Sequence, residues 1–233
     1  MKGIKILCIA TAMAALPMHA WAQDKVEVSV GADLVSNYIW RGQDLGGVSI
    51  QPGATVSYQG FSLGAWGSAS FDGDGGNTKE LDLTLAYSNG GFTIGVTDYW
   101  FGGDDYFHYG AHSTTHVFEA NVGYDFGVVA LNWYTNFAGN DGINSNGKRA
   151  YSSYINADVP FKLGDLDWTF SVGAVPFKTS FYNGWTNGFE VSDLSLGVSK
   201  ELKISDSISI PVFAKTTWNP ATESAYFAFG ISL

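Results

Sequence analysis

The sequence predicts an all-β protein, a transmembrane antiparallel up-and-down β-barrel of twelve strands. Three observations lead to this fold class. Beyond the N-terminus the chain divides into short stretches that alternate apolar with small or polar residues, which is the period of a strand with two unlike faces. The connections alternate between short and long, as in outer-membrane barrels. No stretch reaches the ~18 consecutive apolar residues of a membrane-spanning helix.

The N-terminus has the plan of a cleaved secretory signal. Lys2 and Lys5 precede a short apolar run, and Ala20-Trp21-Ala22 follows as a small-x-small cleavage site. The apolar run is too short to span a bilayer, which needs about 20 residues. We therefore expect removal of residues 1–22 and a single barrel domain of residues 23–233 that leaves the cytoplasm.

The composition of the remaining chain is acidic. Loss of the two signal lysines lowers Lys plus Arg from 12 to 10 against 22 Asp plus Glu, so the formal charge moves from −10 to −12. Such a chain is not expected to bind nucleic acid phosphates. The only cysteine, Cys8, leaves with the signal, so no disulfide supports the fold. No cofactor is predicted.

Each predicted strand carries apolar side chains on one face and small or polar ones on the other. In the first strand Val28 and Val30 share a face, whereas Ser29 and Gly31 share the opposite face. The predicted strands are residues 26–34, 48–58, 61–70, 80–88, 92–97, 116–124, 128–137, 150–160, 166–175, 190–199, 207–217 and 224–233. Most have about the 9–11 residues that a tilted strand needs to cross the hydrocarbon layer.

The connections place both chain ends on one side of the membrane. Short turns are predicted near residues 59–60, 89–91, 125–127, 163–165 and 201–206. Longer loops are predicted near 42–47, 72–78, 101–115, 138–149, 176–189 and 219–223. Five turns and six loops join an even number of strands, with both termini beside the turns.

Aromatic residues on the apolar face indicate that this face points outward to lipid. One group stands beside the short turns: Tyr58, Phe61, Tyr87, Phe92, Tyr124, Phe161 and Trp168. A second group stands at the opposite strand ends: Trp40, Phe71, Trp100, Phe137 and Tyr151. Two such rings match the aromatic girdles of membrane barrels. The alternative is a soluble calycin-type barrel or a sandwich, with the apolar face inside.

One block near the N-terminus resembles a known family. Ser36-Asn37-Tyr38-Ile39-Trp40-Arg41-Gly42, followed by Gln51-Pro52-Gly53, resembles the opening of the TorF-type porins of Gram-negative bacteria. The likeness is good over about residues 28–100. It implies an outer-membrane channel without catalytic residues. The family's S-x-Y-x-x-R-G positions correspond to Ser36, Tyr38, Arg41 and Gly42.

Arg41 is the first candidate site residue. By parity with Glu27 and Asp33 it is expected on the polar side at the outer end of the first strand, just before Gly42. One interpretation makes it a cation at an acidic pore mouth. The other, which we favour, makes it an architectural guanidinium that pairs with a wall acid, because a charge inside a barrel needs a partner or water.

Acidic side chains on the polar face form the second candidate site. The residues predicted to point inward are Glu27, Asp33, Glu80, Asp82, Glu119, Asp158, Asp167 and Asp193, against the cations Arg41 and Lys215. Rings of acidic side chains favour cations, so a weak cation preference is expected. Asp167 and other members near strand ends could instead be a solvated rim.

Two patterns suggest metal binding but fit it poorly. His108, His112 and His116 recur four apart, a spacing that aligns ligands on a helix and not in a loop. The Asp72–Asn77 segment lacks the closing glutamate of a calcium-binding EF-hand loop. No metal site is predicted.

The function favoured by the sequence is a porin-like channel in the outer membrane for passive passage of small hydrophilic solutes, with outer-membrane lipid as its surroundings. A non-conducting structural or adhesive barrel stays open, since inward Trp66, Tyr134, Tyr154 and Phe213 could block the lumen. The loops 101–115 and 176–189, rich in Tyr, Phe and Trp, could also fold in as plugs or serve as external contact surfaces. A barrel lipid hydrolase is a third possibility. It would need outward-facing His116 as its base, but no neighbouring serine completes the set. The solute and the oligomeric state are not specified by the sequence.

Overall fold

A computed structural model describes residues 25–71, 79–103, 105–110, 113–182, 188–205 and 208–233. Its strands are β1 (Glu27–Val35), β2 (Tyr38–Trp40), β3 (Gln43–Gly46), β4 (Ser49–Tyr58), β5 (Phe61–Ser70), β6 (Lys79–Asn89), β7 (Phe92–Trp100), β8 (His116–Asp125), β9 (Ala130–Gly139), β10 (Ser153–Leu163), β11 (Leu166–Val175), β12 (Glu190–Lys203), β13 (Ser209–Asn219) and β14 (Ser224–Ser232). Within these ranges no helix is long and apolar enough to cross a membrane. The predicted signal segment, 1–22, lies outside the described residues.

Twelve of these strands close into an antiparallel barrel, as predicted. β4 to β14 pair in sequence order, and β1 closes the ring between β14 and β4. The chain enters β1 and leaves β14 at the end of the barrel that carries the short turns. We call this the turn end, and we call the opposite end the loop end.

The alternation of side chains gives the barrel an apolar outside. Along β4, Ile50 and Val56 are exposed on the outer surface, whereas Ser49, Gln51 and Ser57 are buried on the inner face. β14 has the same arrangement, with Phe227 and Phe229 exposed on the outer surface and Ala228 and Gly230 buried on the inner face. A soluble barrel would bury its apolar face, so this arrangement is the one expected in lipid.

The aromatic groups at the strand ends follow the prediction with one exception. Tyr58, Phe61 and Tyr124 at the turn end, and Phe71 and Phe137 at the loop end, are exposed on the outer surface. Trp40 is the exception, and its assignment to the outer girdle was wrong. It is buried inside the barrel, because the chain leaves the wall after β1 instead of continuing along it.

The first connection differs from the loose loop predicted for residues 42–47. It contains a hairpin in which β2 pairs with β3. These two strands form a separate sheet and are not hydrogen-bonded into the barrel. All three residues of β2 are buried. The segment is rich in large side chains, and folding it into the lumen removes them from water. We call this element the inward hairpin (residues 38–46).

Candidate functional site in the barrel lumen

The tip of the inward hairpin fits closely against the barrel wall. Arg41 and Gly42 form the turn, with φ of 49° and 79°. A Cβ added to Gly42 would stand 1.8 Å from the backbone oxygen of Ser192 in β12, so only glycine fits there. Asn219 at the end of β13 donates its Nδ2 hydrogen bond to the Gly42 carbonyl over 2.8 Å. Two strands therefore hold the tip in place.

Arg41 reaches from this tip across the lumen to β8. Its Nη1 and Nη2 donate to the two carboxylate oxygens of Glu119, at 2.5 and 2.9 Å. Nη1 also donates to the hydroxyl of Tyr182 at 2.5 Å, and Tyr99 donates its hydroxyl to Glu119 over 2.9 Å. Arg41 is 7% exposed and Glu119 is 2% exposed, so the ion pair is dry. A bidentate pair with further hydrogen bonds is the geometry in which buried charges are tolerated.

Aromatic rings surround the guanidinium on the remaining sides. Its Cζ lies 4.2 Å from the ring centroid of Tyr134, 4.4 Å from that of Trp40 and 5.0 Å from that of Tyr154. Tyr182 is a fourth ring, at 5.9 Å. Cation–π contacts shielded from water further stabilise the buried guanidinium. Burial raises the pKa of the Tyr182 hydroxyl, although the adjacent Arg41 acts in the opposite direction.

The rings belong to a larger aromatic cluster that fills the loop end of the lumen. Trp40 contacts Tyr99 and Phe181, with ring centroids 5.9 and 6.3 Å apart. The buried aromatic members of the cluster are Tyr38, Trp40, Trp66, Tyr99, Tyr154 and Tyr182, and the buried Val117 and Val175 pack with them. The turn end of the lumen is lined instead by hydroxyl groups, such as the cross-strand pairs Thr84–Thr97 and Ser88–Thr93. In the described part of the lumen, aromatic rings therefore occupy the loop end and small hydroxyl side chains line the turn end.

Glu80 and Asp82 lie side by side on the inner face of β6. They are 5% and 1% exposed. The Tyr38 hydroxyl of the inward hairpin donates to Glu80 Oε1 at 3.3 Å. The two carboxyl groups are hydrogen-bonded to each other, and no other donor in the described structure reaches Glu80 Oε2 or Asp82 Oδ1.

The remaining wall residues on the far side of the lumen form a partly neutralised group. Asp193 accepts hydrogen bonds from Tyr154 at 3.3 Å and from Ser195. Asp158 accepts from Asn156 at 2.5 Å and from Ser171 at 2.6 Å. The positive charge of Lys215, which is buried on β13, acts on Asp158. Neutral donors thus bind both acids, and the charge of Lys215 adds a favourable electrostatic interaction with Asp158.

Three of the predicted acids lie away from the aromatic cluster. Glu27 is exposed at the turn end of β1. Asp33 is half-buried at the closure of the barrel, opposite Ser232 of β14. Asp167 lies at the turn end and forms an ion pair with Lys162, and both side chains are well exposed. This position agrees with the alternative interpretation of Asp167 as part of a solvated rim. Nearby, Lys200 holds the pKa of the exposed Asp165 carboxyl below its usual range.

His116 lies on the outer face, under the loop that follows β7. Its Nδ1 is 2.6 Å from Asp98 Oδ1, and its Nε2 is 2.6 Å from the carbonyl oxygen of Tyr106. The imidazole is fully buried, and the Tyr109 ring lies 4.2 Å from it. Because both ring nitrogens are engaged, neither is free to activate a serine. This histidine anchors the loop.

The metal patterns find no support in the described chain. Of the three spaced histidines, His108 contacts Ser113 at 2.9 Å and His116 contacts Asp98, while His112 lies outside the described residues. Residues 72–78, with the calcium-like pattern, also lie outside them. Among the residues that are described, no group of three His, Cys, Asp or Glu side chains could hold a metal ion.

Sequence reasoning missed two residues of the site. Tyr99 has the inward parity of Thr97 on β7, so the alternation alone could have singled it out. Tyr182 belongs to the loop 176–189, whose aromatic residues allow it to fold in as a plug or to form an external contact surface, but no periodicity indicates which of its residues enters the lumen. Arg41 was placed at the outer end of the first strand. It lies instead at the tip of the inward hairpin.

Comparison with known proteins assigns the chain to a family. A family model described as a bacterial protein of unknown function, Gcw_chp, matches residues 19–225. The chain belongs to this family. No curated protein matches it.

Solved structures similar to this Gcw_chp chain are outer-membrane proteins. One is Salmonella typhi OmpF in complex with daunomycin, at 14% identity over 78% of this chain and 60% of that chain, with a TM-score of 0.37. A mutant of Rh. blastica porin gives 12% identity over 89% and 73%, with a TM-score of 0.39. A loop L8 deletion mutant of OmpT of Vibrio cholerae gives 11% identity over 90% of this chain and 98% of that chain, with a TM-score of 0.34. This chain spans less than two thirds of the OmpF chain, and the likenesses concern the fold alone.

Proposed function

We propose that the protein is a porin-like channel of the outer membrane for passive passage of small hydrophilic solutes, with a weak preference for cations. The proposal combines the apolar outside of the barrel, the polar inner wall and the resemblance of residues 28–100 to the TorF-type porins. A cleaved signal peptide would deliver the chain to the outer membrane of a Gram-negative cell.

The observation that carries the cation preference is the unequal charge of the inner wall. Glu80, Asp82 and Asp193 are buried on that wall, and none of them is paired with Arg41, which is neutralised by Glu119. The surplus of carboxylate makes the potential in the lumen negative, and low-dielectric walls increase its effect.

The inward hairpin forms the narrowest part of the proposed path. A 12-stranded barrel encloses a small lumen, since diameter grows with strand number, and the hairpin with its aromatic neighbours occupies the loop end. We therefore expect a small conductance that depends on how firmly the hairpin tip is held.

The reversal potential of the refolded protein in a salt gradient tests the charge assignment. The double variant Glu80→Gln/Asp82→Asn should lose cation preference. The matched control Asp165→Asn/Glu201→Gln removes two exposed carboxylates at the turn end and should change the reversal potential much less. Equal shifts in the two variants would refute the role of the β6 pair.

A non-conducting structural barrel is the second candidate, and one observation favours it. The aromatic cluster and the Arg41–Glu119 pair are buried together at the loop end, with no core member more than 9% exposed. This candidate predicts no conductance in the unmodified protein at any salt or voltage. A lipid hydrolase is supported less, because the Tyr106 carbonyl occupies His116 Nε2.

A further inference from the structure

We propose that His116 is a proton-operated latch on the outer wall of the barrel. When its imidazole carries two protons, it holds residues 105–110 against the wall, and the loss of one proton releases them. The latch goes beyond the proposed channel. Its test follows the loop and the protons of the ring, so it needs no current through the barrel.

The first argument is that the imidazole lies between two hydrogen-bond acceptors. Its Nδ1 is 2.6 Å from Asp98 Oδ1, and its Nε2 is 2.6 Å from the carbonyl oxygen of Tyr106. Carboxylate and carbonyl oxygens only accept, so each nitrogen needs a proton to make its bond. A neutral imidazole can therefore make one of the two bonds, whereas the imidazolium makes both. Asp98 also accepts through Oδ2 from the Tyr109 hydroxyl at 3.2 Å, as an ionised carboxylate does.

The second argument is the set of groups that face the imidazole. Asp98 on β7 is its ion-pair partner, and the described structure shows no other charged side chain bonded to it. The loop contributes the phenol rings of Tyr106 and Tyr109, at 5.2 and 4.2 Å, and β8 contributes Phe118 at 6.2 Å. Carboxylates titrate near about pH 4 and phenols near about pH 10, so between about pH 5 and pH 8 the imidazole alone changes charge.

The latch lies where an uncovered charge is unfavourable. Asp98 and His116 point outward, since they alternate with the lumen residues Tyr99 and Val117. The loop covers them, so that the imidazole is fully buried and the Asp98 side chain is 16% exposed. A charge on the lipid face of a membrane barrel costs free energy in a depth-dependent way. The closed loop therefore shields the ion pair, and the ion pair holds the loop closed.

The same connection is also fixed on the lumen side. Phe101 stacks on Tyr99, with ring centroids 5.8 Å apart, and contacts Trp40 of the inward hairpin at 6.4 Å. Tyr106 and Tyr109 lie on the outer side, against the imidazole. The connection thus passes over the rim of the barrel, with apolar rings fixing it inside and the latch fixing it outside. Deprotonation removes the outer fixation alone.

A nitroxide attached at position 107 reports the position of the loop. Phe107 is 86% exposed, and residues 23–233 contain no cysteine, so Phe107→Cys gives a single labelled site. The label should be less mobile at about pH 5 than at about pH 9, because the imidazole loses its second proton between them. The same label at Asn146→Cys, in the exposed loop after β9, is the matched control, and its mobility should stay constant.

Two substitutions distinguish a latch from a permanent anchor. His116→Gln does not titrate in this range, so the mobility of the label at position 107 should no longer depend on pH. Asp98→Asn removes the carboxylate that favours the imidazolium, so release should occur at a pH lower by about one unit or more.

Nitrogen-15 NMR reads the protons of the ring directly. In the His108→Gln/His112→Gln protein, His116 is the only histidine of residues 23–233. Both of its ring nitrogens should carry a proton at about pH 5, and one of them at about pH 9. Heat-modifiable migration checks that each variant folds, and this measurement decides if His116→Gln does not fold.

Label mobility that stays constant with pH in the folded barrel would overturn the proposal. So would a transition that persists in His116→Gln, or an imidazole with a single protonated nitrogen at about pH 5. A pH-dependent loop in a barrel that carries no current would support the latch and refute only the proposed channel.

Discussion

Arg41 and Glu119 form a bidentate ion pair across the lumen, at 2.5 and 2.9 Å, that joins the tip of the inward hairpin to strand β8. The pair connects residues 78 positions apart in the chain. Because both side chains are buried, the pair fixes the hairpin in the lumen instead of lining an open mouth. The stability of the barrel and the width of the path should therefore depend on the same contact.

Breaking the pair on one side should destabilise the protein strongly. Arg41→Met leaves Glu119 buried without its counter-charge, and such a loss costs about 3–5 kcal/mol of unfolding free energy. Urea unfolding in lipid vesicles measures it. Arg41→Met/Glu119→Met removes both charges and should cost clearly less than the sum of the two single variants. Additive costs would show that the two residues act independently.

Displacing the hairpin tip should widen the path. Gly42→Ala places a Cβ 1.8 Å from the Ser192 oxygen, so the tip must move away from β12. Single-channel conductance in planar bilayers should then rise severalfold. Gly147→Ala is the matched control, since Gly147 also has positive φ, at 67°, but has no atom within 4 Å of an added Cβ. An increase in both variants, or in neither, would contradict the hairpin as constriction.

The orientation of the two faces predicts opposite effects of arginine at adjacent positions of β6. Leu85 points outward and is 52% exposed, so Leu85→Arg places a charge in lipid and should cost about 2–4 kcal/mol of folding free energy if the site is near the midplane. Ala86→Arg points into the lumen and should fold well. Folding into vesicles is followed by heat-modifiable migration. Poor folding of Ala86→Arg with good folding of Leu85→Arg would reverse the assignment.

His116 should be structural. His116→Ala removes the hydrogen bonds to Asp98 and to the Tyr106 carbonyl, so the loop over residues 105–110 should become more sensitive to protease. His108→Ala, in the exposed part of the same loop, is the control. Neither variant should change phospholipid turnover from the background. Lipid hydrolysis that disappears with His116→Ala would instead support the hydrolase.

The wall of the barrel could be predicted from sequence, because the alternation of apolar and polar residues within each strand indicates which face points to lipid. The period-two alternation and the alternating connection lengths give the strand number, the orientation and the inward position of residues such as Glu80 and Lys215. These are local patterns, and the closed antiparallel topology leaves few ways to assemble them.

The contents of the lumen could not be predicted in the same way. The inward and outward alternation of β1 cannot be used to place Arg41, because the chain leaves the barrel wall after Val35 and the alternation ends there. Tyr182 reaches Arg41 from a distant loop, and the packing of one loop against another has no period in the sequence. For Arg41, the sequence did predict the type of partner, an acidic residue of the barrel wall that neutralises the guanidinium.

The most direct test of the channel is the current through single refolded barrels in a planar bilayer under a salt gradient. We expect a small, discrete conductance with a reversal potential that favours cations, and a larger conductance from Gly42→Ala in the same preparation. Silence from both proteins at all salts and voltages, with folding confirmed by heat-modifiable migration, would contradict it.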